Sequence, residues 1–203
     1  MYALVKDNNI IKHFSYPKGF EHNGNLYSSD VFNKWTNDER KAIGLYEVII
    51  DKTNYKDPAY YNNTNSTYTF ADDQVTESWG TATPKRLNDE NAVDEDGNNI
   101  LDDDGNQLIN YGLKTEKKRI VKQQASGLLA PTDWYVIKAN EVSDYNVPEN
   151  ITTFRSDVRA KSNEMETQID ACTNVDELKA LYEYTRQEDG SQTRPLAEFP
   201  EEI

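Results

Sequence analysis

Apolar positions recur at a period of two near the start of this chain and at spacings of three and four near its end, which predicts strands first and helices afterwards. Tyr2 to Lys6 and Ile10 to Phe14 read as two short strands around Asp7-Asn8-Asn9, whose short polar side chains tolerate the left-handed backbone of a tight turn. A polar loop with Pro17, Gly19 and Gly24 follows. Ser29 to Ala42 reads as a short helix, capped by Asp30 or Thr36, with Asp38 and Glu39 near its start and Gly44 as its stop. Leu45 to Asp51 is an expected strand, and Tyr55 to Thr67, rich in Tyr and Asn around Pro58, an extended loop. Tyr68/Phe70 and Val75/Glu77/Trp79 then alternate about Ala71-Asp72-Asp73 as a second hairpin. Residues 1–87 are expected to form a small β-rich unit.

Residues 88–112 break the pattern, with eight acids and no Lys or Arg. They carry a short repeat, Val93-Asp94-Glu95-Asp96-Gly97-Asn98 and Leu101-Asp102-Asp103-Asp104-Gly105-Asn106, each copy ending in the turn-forming triplet Asp-Gly-Asn. Ile100/Leu101 and Leu108/Ile109 beside these turns predict a small acidic meander.

From Gly112 onward the spacing is helical. Leu113, Ile120, Val121, Ala125, Leu128 and Leu129 are expected on one face of a basic helix that Pro131 ends, with Lys114, Lys117, Lys118, Arg119 and Lys122 turned toward the acidic insert or water. Ile151, Phe154, Val158, Met165, Ile169 and Cys172 form a second, heptad-like stripe on a helix opened by Pro148. Thr173 or Asn174 is placed to cap a third helix, with Glu177 returning the capping bond. The tail from Gln187 is expected to be an exposed arm that docks only through Leu196 and Phe199. The expected fold class is therefore α+β. The β-rich N-terminal unit with its hairpins spans 1–87, the acidic β-meander insert 88–112, the helical hairpin plus third helix 113–186, and the extended tail 187–203.

Charge narrows the partners. With 36 acids against 22 bases the chain carries a net charge of −14, which argues against nucleic acid or an anionic membrane as partner. Hydrophobic residues are only 36%, but 13 Tyr and 3 Trp supply anchoring surface that disordered chains lack. A single cysteine excludes an internal disulfide, and with 2 His the chain cannot assemble a Cys/His zinc site. No apolar run is long enough to span a membrane, and the opening residues lack the blocks of a signal peptide, which predicts a protein kept inside a cell.

Candidate chemistry is thin. Counted back from Gly97 or Gly105, the acidic turns lack both the first acid and the closing glutamate of a calcium-binding helix–loop–helix, so plain solvated turns are expected. Cys172 lies on the apolar stripe, far in sequence from His13 and His22, in the position of a small core residue. Neither a dinucleotide fingerprint, nor a phosphate-binding loop, nor a nucleophile elbow is present. No catalytic residue, metal or cofactor is expected, and the reading is of a non-enzyme. Tyr60, Tyr61 and Tyr68 are expected to cover the edge of the β-unit, with a glycan-binding surface as the alternative.

One stretch has a familiar pattern. Leu128-Leu129-Ala130-Pro131-Thr132-Asp133-Trp134-Tyr135-Val136-Ile137-Lys138, then Val147-Pro148-Glu149-Asn150-Ile151, then Thr153-Phe154-Arg155-Ser156-Asp157-Val158-Arg159, resembles the C-terminal module of bacteriophage tail fibre assembly and tail-assembly-chaperone proteins. The resemblance covers about residues 113–182; Phe154 stands where a Tyr is usual, and the acidic insert is an added element. It implies a non-catalytic protein that binds a tail fibre or other tail or baseplate protein, as an assembly chaperone in the host cytoplasm or as a subunit of the virion tail, with homo-oligomers allowed. On the residues themselves, Asp133 is placed to cap the turn, Trp134 to plug the angle between two helices, and Arg155 and Arg159 to pair with Asp133 or with a partner's carboxylates. Asp133, Trp134, Ile151, Phe154, Arg155, Val158, Arg159, Met165 and Ile169 are the expected structural and partner-binding residues. A carbohydrate-binding or glycan-degrading tail module, and an acidic inhibitor of a host protein, are the alternatives.

Overall fold

A computed structural model describes residues 1–201. The chain is α+β and divides into two compact units, Met1–Thr83 and the remainder from Pro84, each taken by itself below.

The first unit is built on β1 (Tyr2–Lys6), β2 (Asn9–Phe14), β3 (Phe20–His22), β4 (Asn25–Tyr27), α1 (Val31–Lys34), α2 (Asn37–Ala42), β5 (Leu45–Asp51), β6 (Tyr61–Asn62), β7 (Ser66–Ala71) and β8 (Gln74–Trp79). Five strands form one sheet in the order β2-β1-β5-β8-β7, antiparallel except for the β5/β8 pair. Period-two alternation sends Leu4, Phe14 and Leu45 to one face, where Phe20, Val31 and Phe32 cover them, and Ala3, Val5, Tyr46, Val48 and Val75 to the other. The His13 ring of β2 lies 4.3 Å from the Tyr68 ring of β7, so the two edge strands approach each other and the sheet curls around the second cluster.

Three tight turns carry consecutive residues of positive φ, at Asp7/Asn8, Asn23/Gly24 and Asp72/Asp73, the geometry of type I′ hairpins. The second of these makes a hairpin of β3 and β4 where a plain polar loop was expected. Ser29 to Ala42 also proves to be two helices. Trp35 is extended, and Thr36 starts α2 with a full capping box, its hydroxyl accepting from Glu39 N and Glu39 returning to Thr36 N at 2.7 Å. Gly44 ends the segment at φ +80°, and a Cβ there would lie 2.4 Å from the Val5 carbonyl oxygen. Tyr60 and Tyr61 are buried, which withdraws their faces from any sugar.

The two-residue strand β9 (Thr83–Pro84) straddles the division, and the second unit continues with β10 (Glu90–Asn91) and β11 (Ile109–Asn110), which pair and close the acidic insert. Inside the insert, Ala92, Ile100 and Leu108 form a closed ring: each N–H donates to the next member's carbonyl at 2.8–2.9 Å. The Gln107 amide reaches all three carbonyls from the centre, at 2.8, 3.2 and 2.8 Å. The eight-residue repeat visible as two copies is thus an incomplete set of three, with Gln107-Leu108-Ile109 opening the third. In both complete copies the leading aspartate, Asp94 or Asp102, accepts from the backbone N–H groups two and four residues on, and these bonds hold both carboxyls below the usual carboxylate range.

The helical part is α3 (Leu113–Leu129), a 3₁₀ turn (Ala130–Thr132), α4 (Asp133–Glu141), α5 (Glu149–Ala171) and α6 (Val175–Ala180). Lys114 and Lys118 reach Asp170, Lys122 reaches Glu166, and Leu129 meets Arg155, so α3 and α5 run antiparallel. Lys114, Lys118 and Lys122 thus bond across to α5, while Arg119 and Lys122 stay largely in water, one of the two expected orientations. The insert is tied instead through Asp89, which accepts from Gly112 N and Thr115 Oγ1 at the start of α3. The α5 stripe is buried as the spacing predicts, with Ser162 filling the gap between Val158 and Met165, whereas Ile120 is 41% exposed and leaves the predicted α3 face. Asn174 and Glu177 cap α6 reciprocally with Thr173.

The tail is more than an arm docked at two points. β12 (Thr185–Arg186) and β13 (Gln192–Thr193) form a hairpin. Gln168 of α5 then donates to the Pro195 carbonyl at 3.0 Å and accepts from Ala197 N at 2.8 Å, clamping the backbone on either side of buried Leu196. Phe199 packs on Ala125, Phe154 and Val158.

Candidate partner-binding site

Pro131 offers no backbone N–H and cannot extend α3, so the chain tightens into a 3₁₀ turn before α4 begins. One side chain gathers a carbonyl, a hydroxyl and a carboxylate of that corner. Arg155 of α5, only 9% exposed, donates to the Leu129 carbonyl at 3.0 Å and to Thr132 Oγ1 at 2.5 Å, and pairs with Asp133 Oδ1 at 2.8 Å. The Thr132 hydroxyl in turn donates to the same Leu129 carbonyl at 2.7 Å. All three contacts converge on one guanidinium nitrogen, Nη1, so a single cationic group reaching from α5 ties the end of α3 and the start of α4 to α5.

The helix held in this way has no buried residue. Trp134 is 50% and Ile137 55% exposed, and Val136 and Val142 are also exposed. Trp134 lies on Tyr135 with ring centroids 3.8 Å apart, and Lys138 sits over the Tyr145 ring at 4.2 Å. Between α4 and α5 runs a cleft of about 460 Å³ lined by Val136, Val147, Thr152, Arg155, Ser156 and Arg159. A short helix that turns Trp, Val and Ile to solvent while one of its ends is fixed by a buried arginine has the make-up of an interaction surface.

The expected site residues separate into two groups. Ile151, Phe154, Val158, Met165 and Ile169 are buried within the module, where they hold the fold and offer no face to a partner. Asp133 does not cap the turn, since α4 has no side-chain cap bond, but it does pair with Arg155. Trp134 does not plug an interhelical angle; it is displayed. The turn expected at Asp133 and Trp134 is the start of the helix α4. Arg159 is exposed, and its guanidinium donates to the Arg155 carbonyl at 3.3 Å. Sequence reasoning missed Val136, Val147 and Thr132, which lie on short or irregular segments where hydrophobic periodicity is too brief to register.

The remaining chemistry is structural. Cys172 ends α5 with its thiol directed at the Gln168 carbonyl, and burial raises its pKa, which leaves little of the reactive thiolate. Among the described residues there is no group of three or more His, Cys, Asp or Glu placed to hold a metal ion, and no helix is long and apolar enough to cross a membrane. No family model, curated protein or solved structure matches this chain.

Proposed function

We propose that this chain is a non-catalytic protein of a tailed bacteriophage that binds a tail fibre or another tail component, either as an assembly chaperone or as a retained subunit. The reading rests on the resemblance of residues 113–182 to tail fibre assembly proteins, and one observation carries it into three dimensions. Part of the stretch that carries the resemblance, Asp133-Trp134-Tyr135-Val136-Ile137, is the helix whose apolar side chains face solvent while its base is held by Arg155. A side chain kept for packing would be buried; a Trp at 50% exposure on a fixed helix is available to another molecule.

The test is affinity purification of the tagged chain from infected cells, together with quantitative mass spectrometry of purified mature particles. Recovery of a tail protein that is lost on Trp134→Ala and Ile137→Asp supports the reading, and presence or absence in the particle separates subunit from chaperone. Failure of the tagged wild-type chain to retain any tail protein refutes it.

A further inference from the structure

The cleft between α4 and α5 has only cations among its charged lining residues. Its lining contains two arginines and no carboxylate, in a protein with 36 acids and 22 bases. Arg155 is already committed to Leu129, Thr132 and Asp133. Arg159, one turn further along the same face, is different. Among the described residues no Asp or Glu oxygen lies within ion-pair distance of it, and its bond within the chain is to the Arg155 carbonyl. Several other cations of this unit do meet acids: Lys118 and Lys122 on α5, Arg119 on Glu116, Lys161 on Glu164. Val136, Val147, Thr152 and Ser156 line the cleft together with the two arginines.

We propose that this cleft receives an acidic segment of the tail protein that the chain binds: an aliphatic side chain seats between Val136 and Val147, and a neighbouring Asp or Glu pairs with Arg159. The inference rests on the proposed function and names the chemistry of the partner. Two valines in the lining offer apolar contact suited to an aliphatic side chain. A guanidinium in the same lining takes a carboxylate in two parallel hydrogen bonds, which fixes register as well as adding affinity. The chain's net charge of −14 repels most acidic proteins at long range, so only a segment that also makes the apolar contacts is retained. A second copy of this chain carries a matching sequence in Ile100-Leu101-Asp102-Asp103-Asp104, but two molecules of charge −14 repel each other, and self-docking is the competing outcome.

The experiment places a photocrosslinking phenylalanine analogue at Ser156 of the full chain, co-expressed with the tail proteins of the genome that encodes it, and sequences the crosslinked peptide. The expected crosslink is to one segment of a tail protein that has Asp or Glu within two positions of Val, Ile, Leu or Met. Arg159→Glu is expected to weaken the complex at least about tenfold, Arg159→Lys to keep part of the affinity, and exchange of the partner's acid for Lys to restore binding to Arg159→Glu. Arg159 is exposed, so circular dichroism should be unchanged. A tail complex whose affinity ignores Arg159→Glu, or a crosslink to a segment without a carboxylate, overturns the cleft assignment and leaves tail binding standing. Crosslinking to a second copy overturns it in favour of self-association. If the wild-type chain forms no tail complex at all, both readings fall.

Discussion

Replacement of Arg155 tests whether one guanidinium holds the corner between α3 and α4. Arg155→Met keeps much of the aliphatic volume and removes the donors to the Leu129 carbonyl and Thr132 Oγ1 together with the ion pair to Asp133. Hydrogen bonds from a charged donor contribute about 1.5–3 kcal/mol each and are not additive when they share a group. The Asp133 carboxylate is 55% exposed, and such a screened pair adds only about 0–1 kcal/mol. The Thr132 hydroxyl still serves the Leu129 carbonyl in the variant, which limits the loss. Together these give an expected destabilisation of about 2–4 kcal/mol. Because the chain has two units, a global transition would mix them, and amide hydrogen exchange read peptide by peptide is the better assay. At about 1.4 kcal/mol per factor of ten, exchange over the end of α3 and the middle of α5 should quicken by roughly thirtyfold to several hundredfold, with residues 1–83 unchanged. Arg155→Lys, which keeps one cationic nitrogen on a shorter side chain, should fall between, and Asp133→Asn should cost under about 1 kcal/mol. A change of less than about threefold in Arg155→Met, or an equal effect from Asp133→Asn, would refute the argument that the buried, multiply bonded side of the guanidinium is what matters.

Gly44→Ala should lower the unfolding temperature of the first unit. The backbone strain alone is worth about 1–3 kcal/mol, and the added Cβ would meet the Val5 carbonyl oxygen at 2.4 Å; calorimetry reads the shift. Gln107→Ala should release the Ala92/Ile100/Leu108 ring, speeding exchange at those three amides while leaving α3 and α5 protected. The lowered pKa values of Asp94 and Asp102 mean that the charged carboxylates stabilise the two turns in full above the ordinary aspartate value of about 3.9, and that this is lost as pH falls through the lower folded values. Amide shifts of Asn98 and Asn106 should therefore stay flat from neutrality to about pH 5 and move only in the acid range; movement near pH 6 would refute the assignment. Gln168→Ala should free the tail, raising tryptic cleavage after Arg186 with no change in the helical signal by circular dichroism.

Elements with many repeats of one period were legible in the sequence, and those fixed by a few polar bonds were not. The α5 stripe could be read because six apolar positions recur over six turns, so a single misplaced residue does not alter the phase. The first and last hairpins of the sheet could be read because Asp and Asn occupy turn positions that require positive φ. The β3/β4 hairpin has only three residues in each strand, too few to show alternation, and the signal that could have found it was Asn23-Gly24, the strongest of the short turn pairs. Similarly, α4 follows a proline that reads as a stop, and its apolar residues lie consecutively instead of on one face. Its helical state comes from the corner that Arg155 holds, which is a contact across 22 residues from Asp133 and has no local signature.

That distinction also bears on what the molecule does. Residues that recur with period are committed to the interior: Ile151, Phe154, Val158, Met165 and Ile169 are all buried, and a partner cannot reach them without unfolding the module. The residues free to recognise another molecule are those the periodicity does not explain, Trp134, Val136 and Ile137 on a helix with no buried face, and Arg159, turned outward from the stripe beside its buried neighbour Val158. Burial and recognition make opposite demands on an apolar side chain, so an exposed aromatic held in place by a buried arginine is better explained by a partner than by the fold. The consequence is a separable pair of effects. Substitutions on the stripe should reduce stability and binding together, whereas Trp134→Ala and Ile137→Asp should reduce binding while unfolding is unchanged within about 0.5 kcal/mol. Equal loss of stability in both sets would mean that α4 is a packing element after all, and the partner surface would have to be sought elsewhere in the chain.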